Sequence, residues 1–255
     1  MRTNFCCLLI LLGLLSACST YSSKNESKPD ALPAKPAVKV DSATAATITG
    51  LVKFSGTAPK PQKIDMAQDP ACGTQSAYDE SFVVDNGNLA NVFVYVKSIQ
   101  NAGNGGSGGG SNQIPTITQK GCRYHPHVMG IMTGEMVKIV NADETTHNIH
   151  PMPTQSKQWN ESQLPKDAPI EKTFTKPELM IPIKCNQHPW MKMFLNVVDT
   201  PFFAVTGPDG KFEIKGLPPG EYTLAAVHEK LGEQDVKISV GPKESKETSF
   251  TFKTQ

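Results

Sequence analysis

The run Cys185-Asn-Gln-His188-Pro-Trp-Met191-Lys-Met193 decides how this chain is read, together with Asn141-Ala-Asp143-Glu-Thr-Thr-His147 upstream. The later run sets one thiol, one imidazole and two thioethers close together, and the earlier one adds a second imidazole. Thiolate and thioether are soft donors that favour Cu(I), and imidazole suits both oxidation states of copper. Two His, one Cys and a weak axial Met are the donor set of a blue-copper electron-transfer centre. Cys-x-x-His alone is a weak signal. Joined to Asn-x-x-x-x-x-His on an earlier strand, it describes a pocket closed by one late loop. His147, Cys185 and His188 are therefore the expected ligands of one mononuclear copper, with a methionine in the axial position. The plainer reading of each His is a hydrogen-bonded structural histidine. His150, three residues after His147, is the alternative to it as ligand, with a place beside the centre or on the surface preferred.

Outward from the loop, the chain reads as strands. Met136 to Asn141 is entered through Gly134, Leu179 to Cys185 leads into the loop, and Leu195 to Val198 leads out. Thr47 to Phe54 and Leu89 to Ile99 alternate or are rich in Val, Phe and Tyr. Phe202 to Val205, Lys211 to Ile214, Tyr222 to Val227, Val236 to Val240 and Thr248 to Phe252 follow, with Asp209-Gly210 and Pro219-Gly220 as turns. No long helix is expected, and many short strands at regular spacing argue for sandwich architecture. Residues 101–113 form a Gly-rich loop without the Gly-Lys-Ser/Thr of a phosphate cradle. Residues 151–177 read as a Pro-rich surface excursion.

The first 17 residues carry Arg2, then an apolar run from Phe5 to Leu15 that is too short to span a bilayer. Leu15-Ser16-Ala17-Cys18 resembles a bacterial lipobox, which makes Cys18 the expected lipidation site and the membrane anchor. Ser19 in place of Asp points, by analogy with lipoproteins of two-membrane bacteria, to the outer membrane facing the periplasm, or the cell surface. Residues 18–46 are Ser, Lys, Ala and Pro with few large apolar side chains, so they read as a tether. The formal net charge of +1 offers no electrostatic case for nucleic acid. With Cys185 given to a metal, Cys72 and Cys122 remain; an oxidising compartment favours a disulfide between them, and a free pair is the alternative. Cys122, His125, His127 and Met129 are dense enough to raise a second metal site. A disulfide cysteine beside hydrogen-bonded histidines is the preferred account.

Two stretches carry family resemblances. Ile114 to Asp199 resembles the cupredoxin family, the plastocyanin-like Greek-key sandwich, through Gly134, Asn141, Asp143, His147-Asn148-Ile149, the Cys-x-x-His loop and Val197-Val198-Asp199. The resemblance implies one-electron transfer and copper-ligand roles for His147, Cys185 and His188. Plastocyanin spacing selects Met193 as the axial ligand. The His-x-x-Met spacing of binuclear copper domains selects Met191, but the second loop Cys of those domains is absent. Phe202 to the end resembles the carboxypeptidase regulatory-like domain, a transthyretin-like sandwich, through Thr206-Gly-Pro-Asp-Gly-Lys-Phe212 and Gly216-Leu-Pro-Pro-Gly-Glu-Tyr222. Its opening strands are missing just upstream and have counterparts at Gly50-Leu51-Val52 and Val92 to Val96. The expectation is an all-β protein in which residues 47–100 and 201–255 build that sandwich and residues 114–200, the cupredoxin, are inserted in it; sequential packing of three β-pieces is the alternative.

No Gly-x-Ser-x-Gly elbow or Ser/His/Asp order is present, so an enzyme is not expected. The expected protein is a lipid-anchored blue-copper electron carrier serving an unidentified redox partner, which would dock near Pro189 and Trp190. The rival readings are a β-sandwich module that binds a glycan or another protein, with copper structural or absent, and a copper carrier.

Overall fold

A computed structural model of the chain describes residues 41–74, 76–100 and 113–254, and at 98–100 the backbone alone. The expected export segment, Cys18, nearly all of the tether and all but the end of the Gly-rich loop lie outside these residues. Residues 35–255 belong to one compact unit.

The described residues contain strands and turns and no helix, as the alternating runs lead one to expect. Four strands come first: β1 (Ala46–Ser55), β2 (Val84–Asp85), β3 (Asn88–Leu89) and β4 (Phe93–Gln100). The middle of the chain forms β5 (Thr116–Gln119), β6 (Tyr124–His125), β7 (Val128–Met132), β8 (Met136–Asn141), β9 (His147–Pro151), β10 (Glu161–Gln163), β11 (Ile170–Thr173), β12 (Glu178–Lys184) and β13 (Lys192–Val198). The last are β14 (Phe203–Val205), β15 (Lys211–Leu217), β16 (Gly220–His228), β17 (Gly232–Val240) and β18 (Ser245–Lys253).

These strands form four sheets. In the first, β1 pairs with β15, β18 and β3, and β3 with β2. In the second, β4 lies between β14 and β16, and β17 follows β16. Both therefore mix strands from the start and the end of the chain. The other two draw only on the middle: β10-β9-β12-β13-β7 and β11-β8-β5-β6.

Period-two geometry explains how the sheets stack. In β4, Val94 and Val96 join Ile48, Phe212 and Leu224 in a core between the first two sheets, while Phe93 and Tyr95 face the other way. In β13, Met193, Leu195 and Val197 join Ile117, Ile139 and Ile149 in a second core, while Phe194 and Val198 face out. Phe93, Tyr95, Ala225 and Val227 then meet Val128, Phe194 and Val198 in a third cluster that joins the two sandwiches. A strand buried on both faces reads as a near-continuous apolar run. Gly130 on β7 makes room at this junction, because a Cβ there would lie 2.4 Å from the Phe93 ring and 2.8 Å from that of Phe203.

Three details differ from the sequence expectation. The run from Leu89 to Ile99 is not one strand, since Asn91 turns left-handed (φ 59°) between β3 and β4. Residues 151–177 contain β10 and β11, which complete the edges of two sheets and were hidden by their shortness and polar composition. Within 47–100, Ile64, Met66, Cys72 and Ala77 leave the first sandwich and pack on the second core.

His228, for which the sequence offered no role, is buried beside Phe82 and Phe252, and its Nδ1 accepts the Lys230 N–H at 3.2 Å. Burial holds its pKa down, to about 4. A depressed imidazole favours the neutral fold, so its stabilisation is intact above the ordinary value of 6.5 and lost as pH falls towards 4. Unfolding at pH 7 and pH 4 should show a loss of roughly 3 kcal/mol from this site, absent in His228→Phe. Gly130→Ala should cost about 1–3 kcal/mol by overpacking the junction, measured by denaturant unfolding.

Candidate metal centre

Local structure delivers each donor. At the end of β8, Asn141 Nδ2 donates to Thr145 O (2.9 Å) and Gln163 O (3.0 Å), and its Oδ1 accepts the Asp143 N–H (3.0 Å). This turn brings His147 to the start of β9 with its side chain buried. The β12–β13 hairpin pairs Ile183 with Met193 and Lys184 with Lys192. Its loop closes where Cys185 N–H donates to Met191 O (3.3 Å) and Met191 N–H donates to His188 O (2.9 Å).

His147, Cys185 and His188 are all buried, and their ligand atoms lie within 4.8 Å of one another. The two Nδ1 atoms face each other at 2.9 Å, and Cys185 Sγ is 3.7 Å from His188 Nδ1. Each outer nitrogen meets a carboxylate: His147 Nε2 is 2.9 Å from Asp143 Oδ2, and His188 Nε2 is 2.8 Å from Asp69 Oδ2. An Nε2–H that donates to a carboxylate leaves the Nδ1 lone pair pointing inward, the arrangement of metal-bound histidines.

The two aspartates are themselves fixed. Asp143 accepts the N–H groups of Gly121 (2.7 Å) and Cys122 (2.8 Å), and Asp69 accepts Ala71 N–H (2.8 Å) and Thr145 Oγ1–H (3.0 Å). The hydrogen bond from His188, then that from Ala71, holds Asp69 below the usual carboxylate range. Burial works against ionised Asp143, but His147 and the two N–H groups outweigh it and lower its pKa. Burial likewise opposes a charged His147, while Asp143 and Cys185 raise it on balance. For Cys185, burial pushes the thiol up, yet His147 and the backbone at Asn148, His188 and Gln187 bring it down to about 6. Asn148 Oδ1 also lies 3.3 Å from the sulfur.

Two inward imidazole nitrogens with set tautomers and an easily ionised thiol in a closed pocket fit a soft or borderline metal such as copper. The hairpin register bears on the methionine. Continued by one step, the pairing sets Cys185 across from Met191, and side chains opposite one another are roughly 4.5–5.5 Å apart at Cβ. Met193 stands across from Ile183, one layer deeper in the core. Register thus sets Met191 opposite Cys185 and Met193 two residues further along the same face, and both are buried.

Cys72 and Cys122 are joined by a disulfide. The Cys72 sulfur lies 3.9 Å from His188 Nε2. Two further donor groups, Asp69–Cys72–His188 and Cys122–Asp143–His147, share these cysteines, whose sulfurs are occupied by the S–S bond. His125 is exposed with Nε2 at 3.1 Å from Lys120 O, and buried His127 pairs with Glu229, so the dense cluster around Cys122 disperses. His150 Nδ1 meets Asn186 Oδ1 at 3.0 Å, outside the centre. Pro189 is exposed, but Trp190 is half-buried, donates to Cys122 O at 3.0 Å and lies against His188 at 5.1 Å between ring centroids. The outer edge of His188 is covered by Asp69 and Cys72. Sequence reasoning missed Asp69, which stands 119 positions from its partner and belongs to no motif. It named Asp143 as part of a turn without its role.

No family model matches the chain, and no curated protein matches it. Solved structures do. A purple cupredoxin from Nitrosopumilus maritimus is 22% identical over 32% of this chain and 98% of its own, with a TM-score of 0.28. A reduced mutant of amicyanin is 18% identical over 35% and 86%, with a TM-score of 0.30. A copper-containing nitrite reductase from Thermus scotoductus SA-01 is 17% identical over 58% of this chain and 28% of its own, with a TM-score of 0.32. Overlap this slight carries no argument about the centre, which stands on the donors and their geometry.

In the metal-free protein, the ultraviolet thiolate signal of Cys185 should titrate near pH 6 and move towards the ordinary thiol value of 9 in His147→Phe, which removes the largest interaction that lowers it. The stabilisation from this thiolate is complete above pH 9 and lost as pH falls through 6.

Proposed function

We propose that this protein is an exported, lipid-anchored type 1 copper protein that carries single electrons. The observation that carries the proposal is the buried trio His147, Cys185 and His188, with the two Nδ1 atoms 2.9 Å apart and the thiol 3.7 Å from that of His188. Bound copper would supply a couple between Cu(II) and Cu(I). Cys185 would supply the thiolate and most of the electronic coupling, His147 and His188 the two imidazoles, and Met191, or Met193 as spacing has it, the thioether. Asp69 and Asp143 hold the imidazoles in the metal-binding tautomer. The surrounding core excludes water and keeps the donors in place, which lowers reorganisation between oxidation states. Cys18 is the proposed anchor, in the periplasm or at the cell surface, and the partner is a redox protein meeting the loop near Pro189 and Trp190. The sandwich from 47–100 and 201–255 is, in this reading, a regulatory-like module and not a catalytic one.

A soluble form lacking residues 1–18, loaded with Cu(II), tests this. Intense thiolate-to-copper absorption and narrow copper hyperfine splitting are expected, and both should vanish in Cys185→Ser. A colourless protein that takes up no copper would sink the proposal. Met191→Leu should keep the colour and raise the reduction potential. Met193→Leu should leave the potential nearly unchanged and cost less than about 1.5 kcal/mol of stability.

A further inference from the structure

The three donors are buried, so a metal ion reaches them only when something moves. One segment, residues 62–79, described at every position but 75, covers the outer edge of His188 through Asp69 and Cys72. Its base is a short hairpin: Ile64 N–H donates to Ala77 O (2.9 Å), Asp79 N–H donates to Gln62 O (2.8 Å), and Lys63 bridges Tyr78. Lys192 ties that base to β13 through Asp79 at 2.9 Å. The tip folds on itself, with the N–H groups of Cys72 (2.9 Å) and Gly73 (2.8 Å) donating to Asp69 O. Beyond its apolar packing at Met66, Cys72 and Ala77, the tip is fastened to the second sandwich by Asp69, which holds His188 and Thr145, and by the Cys72–Cys122 bond. The disulfide thus joins the backbone of both aspartate supports, since Cys122 N–H also donates to Asp143.

We propose that residues 62–79 are a lid over the metal centre, latched by the Cys72–Cys122 disulfide, and that reduction by a dithiol opens it for copper to enter or leave. The inference rests on the copper reading of His147, Cys185 and His188. In the step, a dithiol passes two electrons and two protons to the S–S bond. The bond breaks, Cys72 and Cys122 become thiols, and the reductant closes its own disulfide. The cross-link spans 50 positions of chain, so its loss returns conformational freedom to the tip while the paired base stays in place. Local opening of the tip then uncovers His188 without global unfolding.

The form lacking residues 1–18 is suited to the test, because residues 35–255 are the compact unit and Cys185 is then the one free thiol beside the disulfide. In the metal-free state, alkylation of Cys185 by iodoacetamide should run about tenfold or more faster in Cys72→Ser/Cys122→Ser than in the oxidised protein. Wild-type protein reduced with a phosphine should show the same gain, read by mass spectrometry, and lose it on reoxidation. Copper release to a chelator should quicken by a similar factor. Equal alkylation rates with the disulfide present and absent would overturn the lid, as would a gain that reoxidation fails to reverse. Faster labelling on reduction in a chain that takes up no copper would support the lid and end the copper reading instead.

Discussion

Two carboxylates oriented on two buried histidines are the constraint from which the centre follows. An imidazole presents a lone pair to a metal only when its other nitrogen holds the proton, and Asp69 and Asp143 each accept that proton's hydrogen bond. Neither aspartate is free to turn. Gly121 and Cys122 both adopt left-handed backbone (φ 60° and 55°), so their successive N–H groups converge on Asp143 as a small anion nest. Asp69 sits at a self-bonded tip fastened by a disulfide. Burial, which alone would keep His147 neutral and the thiol protonated, is overcome by these contacts and by the mutual pull of imidazole and sulfur.

Rigidity of the frame comes from strands covered on both faces, β4 over residues 93–96 and β13 over residues 193–198. β4 and β13 bury one set of side chains in a sandwich core and the alternate set in the junction. Their backbone groups are taken up by the ladders on either side, so the strands satisfy burial and hydrogen bonding together. β13 leads directly out of the metal loop, and its register with β12 fixes what stands opposite Cys185. Side chains hung from such a strand have little room to move, which is what the proposed function would ask of the donors when a bound copper changes charge.

The junction also gives the two sandwiches a common fate. Asn196 on β13, fully buried, accepts the N–H of left-handed Met180 (2.9 Å) and donates to Met129 O (3.3 Å). It therefore patches the irregularity in β12 within the sheet that carries the centre. A change at Gly130 or Asn196 acts on the metal pocket through packing, with no contact to a donor atom.

Much of this was legible in the chain itself. Period-two alternation and turn residues determined an all-β protein. The types and spacing of His147, Cys185 and His188 singled these three out, and the fold brings them together, because a loop of two residues between Cys and His leaves both free to converge. Counting cysteines singled out Cys72 and Cys122 as a pair. Tertiary structure alone decided the rest. Spacing favours Met193, whereas hairpin register, which moves each side chain to a definite partner, sets Met191 opposite Cys185. Asp69 is an ordinary aspartate in an ordinary loop until the chain folds back across the second sandwich. Its role depends on a hydrogen bond between residues far apart in sequence, and no local pattern of residues encodes such a meeting.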